Sequence, residues 1–391
     1  LYIANARLPT EKAHGVQIMK MCEAFAQGGA EVKLVVPFRV QTAQMRRVRD
    51  LWDYYGIRRR FDLIRLPSLD LIFLDRYLPG KFAYLPFYLQ TLTFGAWAVF
   101  HALLRRADVL YSRDWMFVWL WLPWRWLRKC TLVLEEHTFP HRGGWGARLH
   151  LAVSRRVDRL VVITHRLKEL YVAAGVSAER VLVAPDGVDL ARFEELPDKV
   201  QARQQLDLPL AGKVLCYAGH LFAWKGIYAL VDAASRLPDT MLLMVGGMAQ
   251  DREKLREYLV ERSIDNVRLV PHVPPTEVPY FLSAADVLVL PSTARQTISR
   301  EYTSPLKLFE YMASGRPIVA TDLPSTREVL RDGENAVLVE PDSPELLAKA
   351  IQQVLEMPDR GRQLAAQARC DVKTLTWERR AANILAFVGT D

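Results

Sequence analysis

The sequence predicts an α/β protein made of two doubly wound, Rossmann-like domains facing each other across a cleft. Three observations predict it. Short apolar runs of strand length alternate with longer stretches at helical spacing, the pattern of βαβ units and parallel sheets. The alternation stops at a segment rich in turn residues, 184–197, and then starts again. And 391 residues, half of them apolar and a quarter charged, suit two globular domains of ordinary size better than one.

In the first domain, 1–190, the runs 1–6, 32–37, 63–66, 109–111, 132–135 and 160–163 read as strands. A helix is expected over 16–27, where Val16, Met19, Lys20, Glu23 and Ala24 stand at mixed helical spacing and Gly28-Gly29 ends the pattern. Pro185-Asp186-Gly187 and Pro197 punctuate the boundary. In the second domain, 191–375, strands are expected at 214–218, 241–245, 267–270, 287–290, 317–320 and 336–339. A last helix, 376–391, is expected to pack back on the first domain. The sequence opens at Leu1 inside an apolar run, so an initiator Met and a few residues are expected to precede it. Residues 1–6 run straight into a polar segment, which is not a signal-peptide pattern.

Cys22, Cys130, Cys216 and Cys370 are scattered and form no CxxC, which points to reduced core thiols and away from a disulfide framework or a zinc site. The net charge of +8 is uneven. Residues 1–190 hold 28 Lys/Arg against 17 Asp/Glu, and residues 191–391 hold 24 against 27. Eight of the ten tryptophans precede residue 150. A basic, Trp-rich half fits nucleic acid or an anionic membrane surface. Phe82–Leu104 contains no charged residue and is long enough to span a bilayer. Pro86, Gln90, Thr91, Thr93, Gly95 and His101 weigh against a span, which would also split the first domain, so a buried or surface-lying helix is expected. The Trp-rich segment 115–126, with Arg125, Arg128 and Lys129, reads either as an interfacial anchor or as core and cleft.

The densest chemical signal is 303–315. After the run 287–290 and a loop over 291–302, a helix is expected to start near Pro305. A helix N-terminus presents free backbone N–H groups, which suit a diphosphate. Glu310, in the following turns, either accepts two hydrogen bonds from a ribose diol or is a solvent-exposed Glu on a capped helix.

The segment 304–315, continued by Arg316-Pro317-Ile318-Val319-Ala320-Thr321-Asp322-Leu323-Pro324, resembles the C-terminal signature of glycosyltransferase family 4, retaining enzymes of the GT-B fold. Pro185-Asp186-Gly187-Val188-Asp189 is similar to that family's interdomain segment. Gly219 through Lys225-Gly226 is similar to its phosphate-loop segment, and Asp332-Gly333-Glu334-Asn335 to its acidic turn. Four such segments in the right order extend the resemblance over essentially the whole chain.

The resemblance implies a nucleotide-sugar donor on the second domain. Lys225 would meet the phosphates, with Gly219, Ser304, Pro305 and the amides of Leu306 and Lys307. Glu310 would hold the ribose, and backbone near Val273 the nucleobase. His220 stands where the family has an Arg. Where the family often has a first Glu eight residues before Glu310, this chain has Tyr302, with Glu301 beside it, so the contact to the sugar is left open between them. On the first domain, Gly15 would let the backbone approach the donor phosphate and sugar. His14, in the loop 9–17, would meet the acceptor or be an exposed loop His. His137, after the strand 132–135, would sit near the donor sugar's hydroxyls, and Arg113 and Asp114 would bind acceptor or orient it. Lys225, His137 and His220 are the catalytic candidates. No protein nucleophile, metal or cofactor is expected, and the chain has no D-x-D.

The function implied is that of a retaining glycosyltransferase moving a sugar from a nucleoside-diphosphate sugar to a hydroxyl acceptor, in glycan, lipopolysaccharide or exopolysaccharide biosynthesis. Its rivals are a GT-B sugar-nucleotide epimerase and a non-catalytic binder of nucleotide-sugar or nucleic acid. The expected partners are the donor, a glycan or lipid-linked acceptor and an anionic membrane surface, with no nucleic acid. The expected place is the cytoplasm, peripheral to the inner face of the cell membrane.

Overall fold

The computed structural model describes residues 1–140 and 143–389, with Arg76 and Lys81 described by their backbone alone. The chain divides into two units: Leu1–Ala184 together with the chain from Glu378 onward, and Pro185–Trp377. The division falls at the head of the turn segment, not at 190/191. The last helix, Trp377–Val388, belongs to unit 1 from Glu378 on. Residues 390–391 of the expected last helix lie outside the described residues.

Unit 1 holds seven parallel strands: β1 (Tyr2–Ile3), β2 (Lys33–Pro37), β3 (Asp62–Leu66), β4 (Val109–Ser112), β5 (Thr131–Glu136), β6 (Arg159–Val162) and β7 (Val181–Val183). Their order in the sheet is β3-β2-β1-β4-β5-β6-β7. The chain therefore winds outward from β1 in one direction and resumes in the other at β4, which makes the β1–β4 gap the switch point where open α/β sheets bind ligands. β7 has no counterpart among the expected strands.

The helix expected over 16–27 starts earlier, at Ala13, and runs to Gln27. His14 and Gly15 thus lie in its first turn, not in a loop. The local cause is Tyr55, whose hydroxyl accepts from the Thr10 amide and donates to the Thr10 carbonyl, at 2.8 and 3.1 Å, and so fixes the chain into the helix.

Unit 2 holds six parallel strands: β8 (Lys213–Ala218), β9 (Thr240–Val245), β10 (Val267–Val270), β11 (Val287–Leu290), β12 (Ile318–Thr321) and β13 (Val337–Val339), in the order β10-β9-β8-β11-β12-β13. Successive side chains leave a strand on opposite faces. Cys216, Ala218, Leu288 and Leu290 enter the core on one face, and Leu215, Tyr217, Val287 and Val289 the core on the other. Helices cover both faces of the central strands, β8, β9, β11 and β12, which read as apolar runs and were legible for that reason. The switch point here lies between β8 and β11.

All four cysteines are free. Cys22 and Cys216 are buried, Cys130 is half-buried and Cys370 is exposed, so the expectation of core thiols fails for the last.

Candidate functional site

Two loops leave the switch point of unit 2. The first follows β8 and carries Gly219, His220, Lys225 and Gly226. The second follows β11, makes a single π-type turn over Ile298–Tyr302 and enters the helix Leu306–Ala313. The loops touch at Gly226, which has φ +75°; a Cβ there would stand 1.6 Å from the Pro291 carbonyl oxygen. Only glycine fits both the angle and the space. The Tyr311 hydroxyl accepts from the Ala218 amide at 2.8 Å and so ties the helix to the end of β8.

Pro305 is the N-cap of this helix, and Leu306 its first residue. Proline offers no side-chain oxygen, and no side chain caps the helix. The first-turn amides, those of Leu306 and Lys307 among them, therefore lack the usual satisfaction from within the helix. Just ahead, the Ser304 hydroxyl accepts from the Asp186 amide at 3.3 Å.

Side chains near a helix start point back toward the N-terminus. The Lys307 ammonium accordingly reaches over the Tyr217 ring, 3.5 Å from its centroid. It lies against Gly219, where a Cβ would come within 2.9 Å of Nζ. Nζ is buried and makes no hydrogen bond among the described residues. Burial, and then the neighbouring charge of Lys225, hold its pKa well below the ordinary lysine range. Lys225 stands 3.8 Å over the Trp224 ring, and burial pulls its pKa down to about 8. Neither lysine pairs with a carboxylate among the described residues.

Glu310 faces this pair. Burial raises its pKa, against the pull of Arg192 and Lys307, and Arg192 Nη1 lies 3.9 Å from its Oε1. Two desolvated lysines beside uncapped helix amides are a setting that suits an anion.

The remaining residues expected in this unit are placed as follows. His220 stacks on Phe222, with ring centroids 4.9 Å apart, and its carbonyl accepts from the Tyr217 hydroxyl. Val273 is half-buried against the core. Tyr302 is buried, while Glu301 pairs with Arg300 at 2.8 Å.

In unit 1 the ends of β4 and β5 and the 13–27 helix carry a second cluster, centred on Glu135. This carboxylate is fully buried. It accepts from Gln17 Nε2 at 2.6 Å, Arg380 Nη2 at 2.9 Å and the Tyr111 hydroxyl, and it bonds His137 Nε2 at 2.6 Å. Burial pushes the Glu135 carboxyl up, but Arg380 and His137 more than undo this and hold it well below the usual range. An ionised carboxylate only accepts, so Nε2 of His137 is the donor in this bond.

Arg113 reaches this network through Gln17, donating to its Oε1 at 2.5 Å. Nearby, burial and then the Arg113 and Lys12 charges depress His14 to about 3, so it is neutral. Asp114 is spent on structure: it caps the helix Trp115–Trp121, accepting from the Met116 amide at 2.9 Å, and burial raises it to about 6. Gly15 makes room for Thr10 and Tyr55, each 2.5 Å from where its Cβ would be.

Sequence reasoning missed Glu135, Gln17, Arg380, Arg192 and the side chain of Lys307. Glu135 had a signal, an acid inside an apolar strand two residues before His137 and so on the same face. Arg380, 245 residues away in the chain, had none.

The class that fold and site define is an α/β protein that gathers two lysines and an uncapped helix start at the carboxyl ends of its second unit's strands. Two family models then say which. Glycosyl transferases group 1 matches residues 198–371, and Glycosyltransferase Family 4 matches residues 14–192. The chain belongs to this glycosyltransferase family.

Among curated relatives, the D-inositol 3-phosphate glycosyltransferase of Acidothermus cellulolyticus is 31% identical over 245 residues, 58% of this chain and 52% of the relative. D-inositol 3-phosphate glycosyltransferase 1 of Catenulispora acidiphila is 31% identical over 252 residues, 60% and 58% of the two chains. The chain thus spans about half the length of the curated relatives it matches. Among solved structures, HepE of Anabaena in complex with UDP-glucose superposes with a TM-score of 0.75 at 18% identity, covering 98% of this chain and 99% of that one. WaaG, a glycosyltransferase involved in lipopolysaccharide biosynthesis, gives 0.70 at 17% identity, covering both chains fully. At such identities the likeness shows the fold, which is GT-B.

Proposed function

We propose that the protein is a retaining, metal-independent glycosyltransferase that moves a hexose from a nucleoside-diphosphate sugar to a hydroxyl acceptor in glycan, lipopolysaccharide or exopolysaccharide biosynthesis. The observation that carries the reading is the pair of partly buried lysines, Lys225 and Lys307, the second with a buried Nζ, beside the uncapped start of the 306–313 helix. HepE, of the same fold, was crystallised with UDP-glucose, which supports a donor of this class.

In this reading the diphosphate lies on Lys225, Lys307 and the amides of Leu306 and Lys307, and the ribose diol donates to Glu310. The bond between the anomeric carbon and the phosphate oxygen breaks as the acceptor oxygen bonds that carbon from the same face. The acceptor's proton passes to the departing phosphate oxygen. Fixed positive charge stabilises the diphosphate as its negative charge grows, with no reorganisation at that moment. Lys307 supplies the second cation that the family draws from an Arg and that His220 does not supply. His137, oriented by Glu135, offers Nδ1 to a sugar hydroxyl, and His14 and Arg113 are assigned to the acceptor. The reaction draws on cytoplasmic nucleotide sugars, and the protein is assigned to that compartment.

The test is a thermal-shift panel of nucleoside diphosphates without divalent metal, followed by turnover of the matching sugar nucleotides. A ligand that binds only the folded state raises the midpoint. The reading expects one nucleotide to stand out and its sugar conjugate to be consumed with the anomeric configuration kept. No shift with any nucleotide, or an inverted product, overturns it.

A further inference from the structure

The helix Leu85–Leu104 departs from what a soluble α/β unit places on its sheet. Its inner face is packed, with Gln90, Thr91, Phe94, Ala98, Val99 and Ala102 buried. Its outer face carries Leu85, Tyr88, Leu92, Trp97, Phe100 and Leu104, each 40–63% exposed. These positions recur at helical spacing, and no charged residue falls anywhere between Phe82 and Leu104. A surface helix normally turns a polar face to water. This one turns aromatic and aliphatic side chains outward along roughly 30 Å of its length, far more than a scatter of single exposed hydrophobics.

The surface continues beyond the helix. The helix Trp115–Trp121 packs against 85–104 and leads into the turn Leu122–Leu127. Trp124 and Trp126 are 46% and 77% exposed there. Arg105, Arg106, Arg125 and Lys129 are exposed around the same stretch. Over residues 71–130 there are eight Lys/Arg against three Asp/Glu, with Arg113 and Asp114 both committed to contacts inside unit 1.

We propose that this face docks the protein on the surface of a bilayer with anionic headgroups. Apolar side chains sink into the headgroup–acyl boundary, tryptophan and tyrosine sit at its level, and the arginines meet lipid phosphate. The charge selects this occupant over a second copy of the chain, which would bring the same positive charges to the same rim. The inner face excludes a span. Gln90 Nε2 donates to Asn5 Oδ1, and Asn5 Nδ2 donates to the Thr91 hydroxyl, each at 3.0 Å, so the helix is bonded to unit 1 along one side. Where the glycosyltransferase reading holds, docking favours an acceptor presented at that surface. The docking itself stands without that reading.

The experiment is flotation of the full chain with vesicles of phosphatidylcholine alone and of phosphatidylcholine mixed with phosphatidylglycerol. The protein is expected to float with the anionic vesicles, to be released by high salt and to stay behind with the neutral ones. Trp97→Gln with Phe100→Gln, and separately Arg105→Gln with Arg106→Gln, should each weaken binding about tenfold or more. All four side chains are exposed, so the thermal midpoint should hold and confirm folding. Equal binding to both vesicles, variants that float like the parent, or extraction by detergent only would each overturn the proposal. So would a concentration-dependent dimer abolished by the same variants in the absence of vesicle binding.

Discussion

Burial depresses the pKa of both Lys225 and Lys307, and at Lys225 the effect is measurable. Burial brings Lys225 to about 8, so in the free enzyme it is charged below that pH and neutral above it. A diphosphate needs the charged form. The profile of kcat/KM, which reports the free enzyme, should therefore be level on the acid side and fall as pH rises through about 8. Lys225→Arg keeps its charge throughout and should abolish that fall in whatever activity remains. A parent profile that stays level well above that point would detach Lys225 from the phosphates. Lys307 carries a buried amine with no hydrogen bond. An unsatisfied buried group of this kind costs about 1–3 kcal/mol. Lys307→Met keeps the length and removes the cost, so it should raise the thermal midpoint while weakening nucleoside-diphosphate binding. Opposite signs in the two readouts distinguish a ligand-binding residue from a structural one, in which both would fall.

At the scale of elements, the two loops of unit 2 work as one because Gly226 lets them touch. Gly226→Ala would place a methyl group on the Pro291 carbonyl and force an L residue to φ +75°. The strain is worth about 1–3 kcal/mol. The expected outcome in denaturant melts is a loss of that size, together with donor binding weakened more than the stability loss explains, since both loops shift. Full binding in the Ala variant would show that the loops hold their places separately.

Elements also mark where sequence reading succeeded. The central strands of unit 2 were legible because they are buried on both faces, as in the run Val287–Leu290. The start of the 13–27 helix was not, because Tyr55, forty-five residues from Thr10, sets it. Length and the lack of charge marked 82–104 as a helix, but only packing showed which of its apolar residues face water.

At the scale of the whole molecule, the chain leaves unit 1 at Ala184 and returns to it at Glu378. The returning helix delivers Arg380, which donates to the Ala184 carbonyl at 3.1 Å and pairs with Glu135, both side chains being almost wholly buried. Removing one partner of a buried pair leaves an uncompensated charge and costs about 3–5 kcal/mol. Arg380→Met should lower the unfolding midpoint accordingly and disturb His137, while unit 2 keeps its nucleoside-diphosphate affinity. If calorimetry showed nucleotide binding lost along with stability, the assignment of the donor to unit 2 alone would fail.

Sequence by itself determined the α/β class, the two parallel sheets and the family, and it singled out Lys225, Glu310 and His137 as candidates, because periodicity and short segments are local and leave a local trace. Tertiary structure decided the rest. It placed the Lys307 ammonium beside the helix start, made Asp114 a helix cap and set His14 within a helix. It also gave His137 its orienting acid and divided the tryptophans between core, where Trp121 lies, and water, where Trp126 lies. Burial and pairing belong to neighbours far apart in the chain, and they fix charge and exposure, neither of which a residue's own identity contains.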